Sequence, residues 1–164
     1  MQELNFKDLQ VAQQHYDMHN HLDILSLHKM ERMKHYGLHY AKYVGRLARG
    51  NKEEKTLKAT LVDTLLITLS AANALNQRLN ISENSYLSDR SDILTFADAV
   101  GRFADACEKM DHLESFRELA LAANSDILAW VVSCAGANGI DLLSGLEERR
   151  EVLSHRQAYH PARI

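Results

Sequence analysis

The only proline in this 164-residue chain is Pro161, and seven glycines complete the set of strong helix breakers. Proline removes a backbone donor and glycine costs conformational entropy, so a chain this poor in both is free to form long helices. The intervening runs are rich in Leu, Ala, Glu, Lys and Arg, and none shows the period-two alternation of a half-buried strand. The spacing predicts helices over 6–18, 21–49, 53–79, 90–110, 113–137 and 142–156. The stretch "NISENSYLSD" at 80–89 reads as a loop, because Ser, Asn and Asp compete locally for backbone hydrogen bonds. The last residues, "AYHPARI", read as a frayed tail. The expected fold is a single all-α domain over 1–164.

Two of these helices are testable by their faces. Over 21–49, Leu22, Leu25, Met30, Met33, Gly37, Tyr40, Val44 and Leu47 share one side at about 100° per residue. His28, Glu31, His35, His39, Lys42 and Arg46 share the other. Over 90–110, Ile93, Phe96, Val100, Phe103 and Cys107 lie opposite Thr95, Asp98, Arg102 and Asp105. Each helix therefore has an apolar face for a core and a polar face for solvent or a ligand.

The chain also resembles itself. "YVGRLA" at 43–48 is matched by "AVGRFA" at 99–104, and each is followed by an apolar helix holding one Asp. "DTLLITLSAANAL" begins at Asp63 and "DILAWVVSCAGAN" at Asp126; a Ser follows seven residues after each Asp, at Ser70 and Ser133. This reads as an internal repeat, about 21–80 and 90–142, forming two tandem helical hairpins. Packed together they make a four-helix core with flanking helices. A carboxylate buried alone costs several kcal/mol, so the matched Asp63 and Asp126 are expected to be neutralised, paired or bound to a metal.

Composition narrows the partners. The formal net charge of -3 and the lack of a basic run give no electrostatic reason to expect nucleic acid. A hydrophobic share of 46% with 25% charged residues is that of a folded soluble protein. No leader of the charged-then-apolar kind opens the chain, and the apolar run from Leu119 to Ile140 is interrupted by Asn124, Asp126 and Asn138, which argues against a membrane span. Cys107 and Cys134 lack metal-type spacing and read as buried thiols, so a cytoplasmic setting is expected.

The stretch "DILAWVVSCAGANGIDLLSGLEERREVLSHR" resembles the second half of a MazG-like, all-α nucleoside triphosphate pyrophosphohydrolase. Asp126, the "GIDL" turn at 139–142 and the charged helix "EERREVLSHR" at 147–156 carry the likeness, with Asp63, Asn73 and "LNI" at 79–81 in the first half. The resemblance implies a bundle, dimeric in this family, that binds a nucleotide and Mg²⁺ or Mn²⁺ and releases pyrophosphate. It rests that chemistry on an E-x-x-E pair and an E-x-x-D pair, whose spacing puts carboxylates on one helix face for a hard cation. Here His39 and Lys42 stand at the first pair, Thr95 and Asp98 at its second copy. Thr60 and Asp63, then Ala123 and Asp126, stand at the other. Only Asp63, Asp98 and Asp126 remain as metal ligands. His39, Lys42 and Arg46 are then expected to face phosphates, with Asn73 and Arg149 completing a substrate site.

Nine histidines add a further reading. His15 with His19, and His35 with His39, are i, i+4 pairs of the kind that grip a transition metal, with Glu31 one turn from His35. The same stripe is also what a solvated helix face looks like. Three functions stay open at this point: a nucleotide pyrophosphohydrolase, a non-enzymatic helical interaction module of the same descent, and a histidine-based metal protein.

Overall fold

The structure is a computed structural model, described over residues 4–81 and 92–155. The expected 80–89 loop and the tail lie largely or wholly outside those residues. Seven α-helices follow in order: α1 Phe6–Asn20, α2 Leu22–Leu25, α3 Lys29–Arg49, α4 Leu57–Leu75, α5 Ile93–Asp111, α6 Arg117–Ala137 and α7 Leu142–Ser154. A 3₁₀ turn, Gly50–Lys52, follows α3, and no strand occurs among the described residues. The all-α fold is as the sequence implies.

Local chemistry sets the boundaries. Thr56 caps α4 by accepting from the amide of Ala59 at 3.1 Å, and Asn76, left-handed at φ 51°, ends it while Gln77 N donates back to Ala72 O at 2.9 Å. The "GIDL" turn is explained the same way. Gly139 takes φ +63°, Ile140 N closes α6 on Ala135 O at 2.9 Å, and the Asp141 carboxylate accepts from Leu143 N and Ser144 N to start α7. The expected 21–49 helix is broken, because Ser26 Oγ bonds Leu22 O at 2.6 Å and His28 Nδ1 accepts from Met30 N at 3.3 Å. These local bonds stop α2 and restart the chain as α3.

The core is a four-helix bundle of two hairpins, α3–α4 and α5–α6. α3 runs antiparallel to α5: Lys34 pairs with Asp111 and the Tyr40 ring meets Phe103 edge-on at 5.0 Å. α4 likewise runs beside α6, with Asn124 Nδ2 donating to Thr68 O at 3.2 Å. Leu61, Leu65, Leu69, Phe96, Phe103, Ile127 and Leu128 are wholly buried between them, each worth about 1.5–3 kcal/mol of hydrophobic stabilisation. Cys107 and Cys134 are buried free thiols. α6 is long and apolar enough to cross a membrane by composition alone, yet it packs against α4 and α5 here.

One buried polar knot crosses this core. The Tyr40 hydroxyl, on a fully buried side chain, donates to Asn124 Oδ1 at 2.8 Å and lies 3.2 Å from Thr68 Oγ1. Asn124 Nδ2 also donates to Gln77 Oε1 at 2.8 Å, so α3, α4 and α6 are pinned in one register. Outside the bundle, α1 and α7 both lie on α4. That uneven cover creates the main cavity.

Candidate functional site

A cavity of about 240 Å³ opens between α1, α2, α3, α4 and α7. Its walls carry Tyr16, Tyr36 and Tyr43 with Ile24, Leu66 and Ile67, while Lys42, Arg46 and Arg149 bring three cations to it. Six residues offered from sequence as ligands or phosphate contacts line it together: His35, His39, Lys42, Arg46, Asp63 and Arg149. Helix periodicity puts His39, Lys42 and Arg46 on one face of α3. Asp63 comes from α4 and Arg149 from α7.

Asp63 organises the cations. Arg46 Nη1 donates to its Oδ2 at 2.9 Å, across 17 residues of chain. Arg149 Nε donates to Oδ1 at 2.6 Å and Nη2 to Oδ2 at 3.2 Å, a two-pronged grip from 86 residues away. The carboxylate side chain is only 7% exposed. One buried anion thus holds two guanidinium groups side by side, leaving the cluster cationic.

Two of the histidines on this wall, His39 and His35, are held below the ordinary imidazole value. Burial, then Lys42 and His35, push His39 down to about 4, and its Nδ1 lies 3.1 Å from both Tyr43 Oη and Lys42 Nζ. The Lys42 ammonium can only donate, so Nδ1 accepts and the ring proton is assigned to Nε2. His35, whose ring meets His39 at 4.6 Å, is also shifted down by burial. Burial and the neighbouring Arg46 lower Lys42 as well. The stripe that looked like a solvated face is therefore half a cavity wall.

Sequence reasoning did not find the floor. Asp17 on α1 is 4% exposed; its Oδ1 accepts from Gln13 Nε2 at 2.8 Å and its Oδ2 from the Ser70 hydroxyl at 2.6 Å. Arg150 Nη2 donates to Gln13 Oε1 at 2.8 Å, closing α7 onto α1. Burial raises the Asp17 carboxyl above its ordinary range, against the hydrogen bond from Ser70. The available signal was the Gln13–Asp17 spacing of one helical turn on an otherwise weakly patterned helix.

The remaining sequence candidates sit elsewhere. Asn73 exchanges hydrogen bonds with Gln10 on α1 and lines a neighbouring depression rather than the main cavity. Asp126 and Asp98 belong to the second hairpin, where both accept from Arg102, through Nη2 and Nε respectively, at 2.9 Å. The carboxylate of Asp126, which has no basic neighbour in its own helix, is answered by the arginine of the second VGR segment, as Asp63 is by the first. Asp98 and Asp126 do not line the main cavity.

As ligands for Mg²⁺ or Mn²⁺, these residues do not fit. A hard cation needs several convergent oxygen donors, whereas Asp63 is committed to two guanidinium groups and Asp98 and Asp126 share Arg102. Among the described residues no group of three His, Cys, Asp or Glu side chains is arranged to hold a metal ion. What the cavity offers is cationic hydrogen-bond donors beside aromatic and aliphatic walls. No protein-family model, curated protein or solved structure matches this chain.

Proposed function

We propose that this protein is a MazG-like nucleotide-binding bundle whose cavity holds a phosphate-bearing ligand against Lys42, Arg46 and Arg149. The observation that carries the reading is the convergence of these three cations, the two arginines fixed in place by Asp63, on one aromatic-walled cavity. Arginine presents paired N–H groups to phosphate, and a guanidinium already oriented by a carboxylate loses less freedom on binding. At about 240 Å³ the cavity lies just under the ~300–1,000 Å³ range of ligand pockets, which suits a mononucleotide. Tyr16, Tyr36 and Tyr43 supply the flat surfaces a base packs on.

The reading is of binding rather than metal-dependent pyrophosphate release, because the donor set does not suit a divalent ion. The test is a thermal-shift series with nucleoside mono-, di- and triphosphates, each with and without Mg²⁺. A nucleotide at a hundred times its Kd stabilises by roughly 2.7 kcal/mol, and that gain is expected without Mg²⁺ and lost in Lys42→Ala. Stabilisation that requires Mg²⁺, with pyrophosphate released, would return the hydrolase reading. No response to any nucleotide would sink both.

A second reading, a helical module acting through contacts between copies of the chain, draws on α1. Val11 and Met18, two turns apart on this helix, and Leu22, the first residue of α2, are each more than half exposed. A homodimer burying that stripe is compatible with an internal repeat and with the nucleotide cavity.

A further inference from the structure

Lys42 is tethered to the wall of the main cavity by an imidazole. Its ammonium donates to Nδ1 of His39 at 3.1 Å, and Tyr43 Oη lies 3.1 Å from the same nitrogen. An ammonium has only donors, so this contact exists only while Nδ1 carries no proton. We infer that His39 takes up a proton from solvent as a phosphate group binds beside Lys42, releasing the lysine to the phosphate and tightening the site in mild acid. The inference rests on the phosphate reading of this cavity and adds how that site is regulated.

The switch lies in the donors and acceptors of one ring. With its proton on Nε2, His39 offers Nδ1 as an acceptor; once protonated, both ring nitrogens donate. Tyr43 answers that change by turning its hydroxyl to accept, since a phenol does either. Lys42 cannot, and two positive charges 3.1 Å apart repel, so the ammonium leaves the ring. Its flexible four-carbon stem lets it move while α3 stays in place. A phosphate in the cavity gives it a new acceptor.

The surroundings keep that proton off until an anion arrives. Burial, then Lys42 and the His35 ring, hold His39 down; Asp63 acts the other way and Arg46 joins the cations. Of the other groups sharing the cavity, α7 brings Arg149, α1 brings Tyr16 and Asp17, and α2 brings His21. Burial keeps the phenols of Tyr16, Tyr36 and Tyr43 protonated and moves the Asp17 carboxyl toward its neutral form. Asp63 is already held by Arg46 and Arg149. Neither carboxylate is therefore a ready counter-charge for an imidazolium. A phosphate dianion is one, because an opposite charge within about 4–6 Å favours the charged form. His35, lowered by burial and then by His21, is drawn the same way.

The experiment follows the His39 imidazole against pH by NMR on the full chain, assigned through its disappearance in His39→Gln. Sulfate is the first probe, a tetrahedral dianion with no titration of its own between pH 5 and 7; adenosine monophosphate is the second. Chloride at matched ionic strength is the reference. His39 is expected to titrate at clearly higher pH with either probe than with chloride. Sulfate affinity, read from the backbone amides of α3, is expected to rise about tenfold from pH 7 to pH 5 and by less than about threefold in His39→Gln. The full rise is expected in His112→Gln, whose imidazole is exposed at the end of α5. A His39 titration left where chloride leaves it, while the probes still shift those amides, overturns the inference and leaves the phosphate reading standing. Equal pH slopes in the wild type and His39→Gln do the same. If neither probe shifts the amides at either pH, the phosphate reading falls and the inference with it.

Discussion

Arg102 Nη2 lies 2.9 Å from Asp126, the same separation that joins Arg46 Nη1 to Asp63, but Asp126 leaves 44% of its side chain in solvent against 7% for Asp63. The same arginine–aspartate distance therefore sits in two dielectric settings, and Asp63 is held by a second arginine as well. Removing one partner of a buried pair strands the other charge, at about 3–5 kcal/mol, whereas an exposed pair is worth about 0–1 kcal/mol. Asp63→Asn is expected to lower stability by roughly 3 kcal/mol and Asp126→Asn by under about 1 kcal/mol. Urea denaturation of both variants measures the difference, and equal losses would contradict it.

Gly145 marks where α7 comes closest to α4. A Cβ there would stand 2.6 Å from Val62 Cγ2 and 3.2 Å from Lys58 Cε, and valine has little rotamer freedom to yield. Gly145→Ala is expected to cost about 1–3 kcal/mol by pushing α7 outward. Because α7 carries Arg149, nucleotide stabilisation should fall with it. Adding Val62→Ala should recover much of the nucleotide response, read by the same thermal-shift assay.

His39 sets a pH dependence whose sign is fixed. Its folded value of about 4 lies below the ordinary imidazole value of 6.5, so the unfolded chain binds the proton first. Stability from this residue is intact above pH 6.5 and declines as pH falls toward 4, by up to roughly 3 kcal/mol. Asp17 acts oppositely: its raised carboxyl favours the fold below the ordinary Asp value and loses that advantage as pH rises through its folded value. Denaturation midpoints between pH 4 and 7 should flatten in His39→Gln. An imidazole signal for His39 titrating near 6.5 would refute the assignment.

Tyr40 is the cross-link of the bundle core. Tyr40→Phe keeps the ring against Phe103 but leaves Asn124 Oδ1 without its 2.8 Å donor in a fully buried place. A loss of about 1–3 kcal/mol is expected, with the helical content unchanged. Circular dichroism during urea unfolding checks both halves of that statement.

Much of the bundle was legible because apolar residues recur at helical spacing: Met33, Tyr40, Phe96 and Phe103 fall on the buried faces the period assigns. The break at Ser26–His28 was not, since Leu22, Leu25, Met30 and Met33 keep the period running through it. Lys42, Arg46, Asp63 and Arg149 were named from sequence, but their joint placement depends on a hairpin and on α7 folding back over 86 residues. That both Asp63 and Asp126 would be answered by the arginine of the preceding VGR segment was visible as spacing and invisible as contact. Gln13 and Asp17 escaped notice because polar residues on a weakly patterned helix look solvated until other helices cover them.

The cover over Asp63 comes from the two ends of the described chain, with Gln13 near one and Arg150 near the other joined across 137 positions. On a ribosome, both hairpins precede α7 in order of emergence, and the cavity beside Asp63 cannot close until α7 has followed. The cavity is thus the last part to be completed, and a chain that stops short of Arg149 would lack one of its walls.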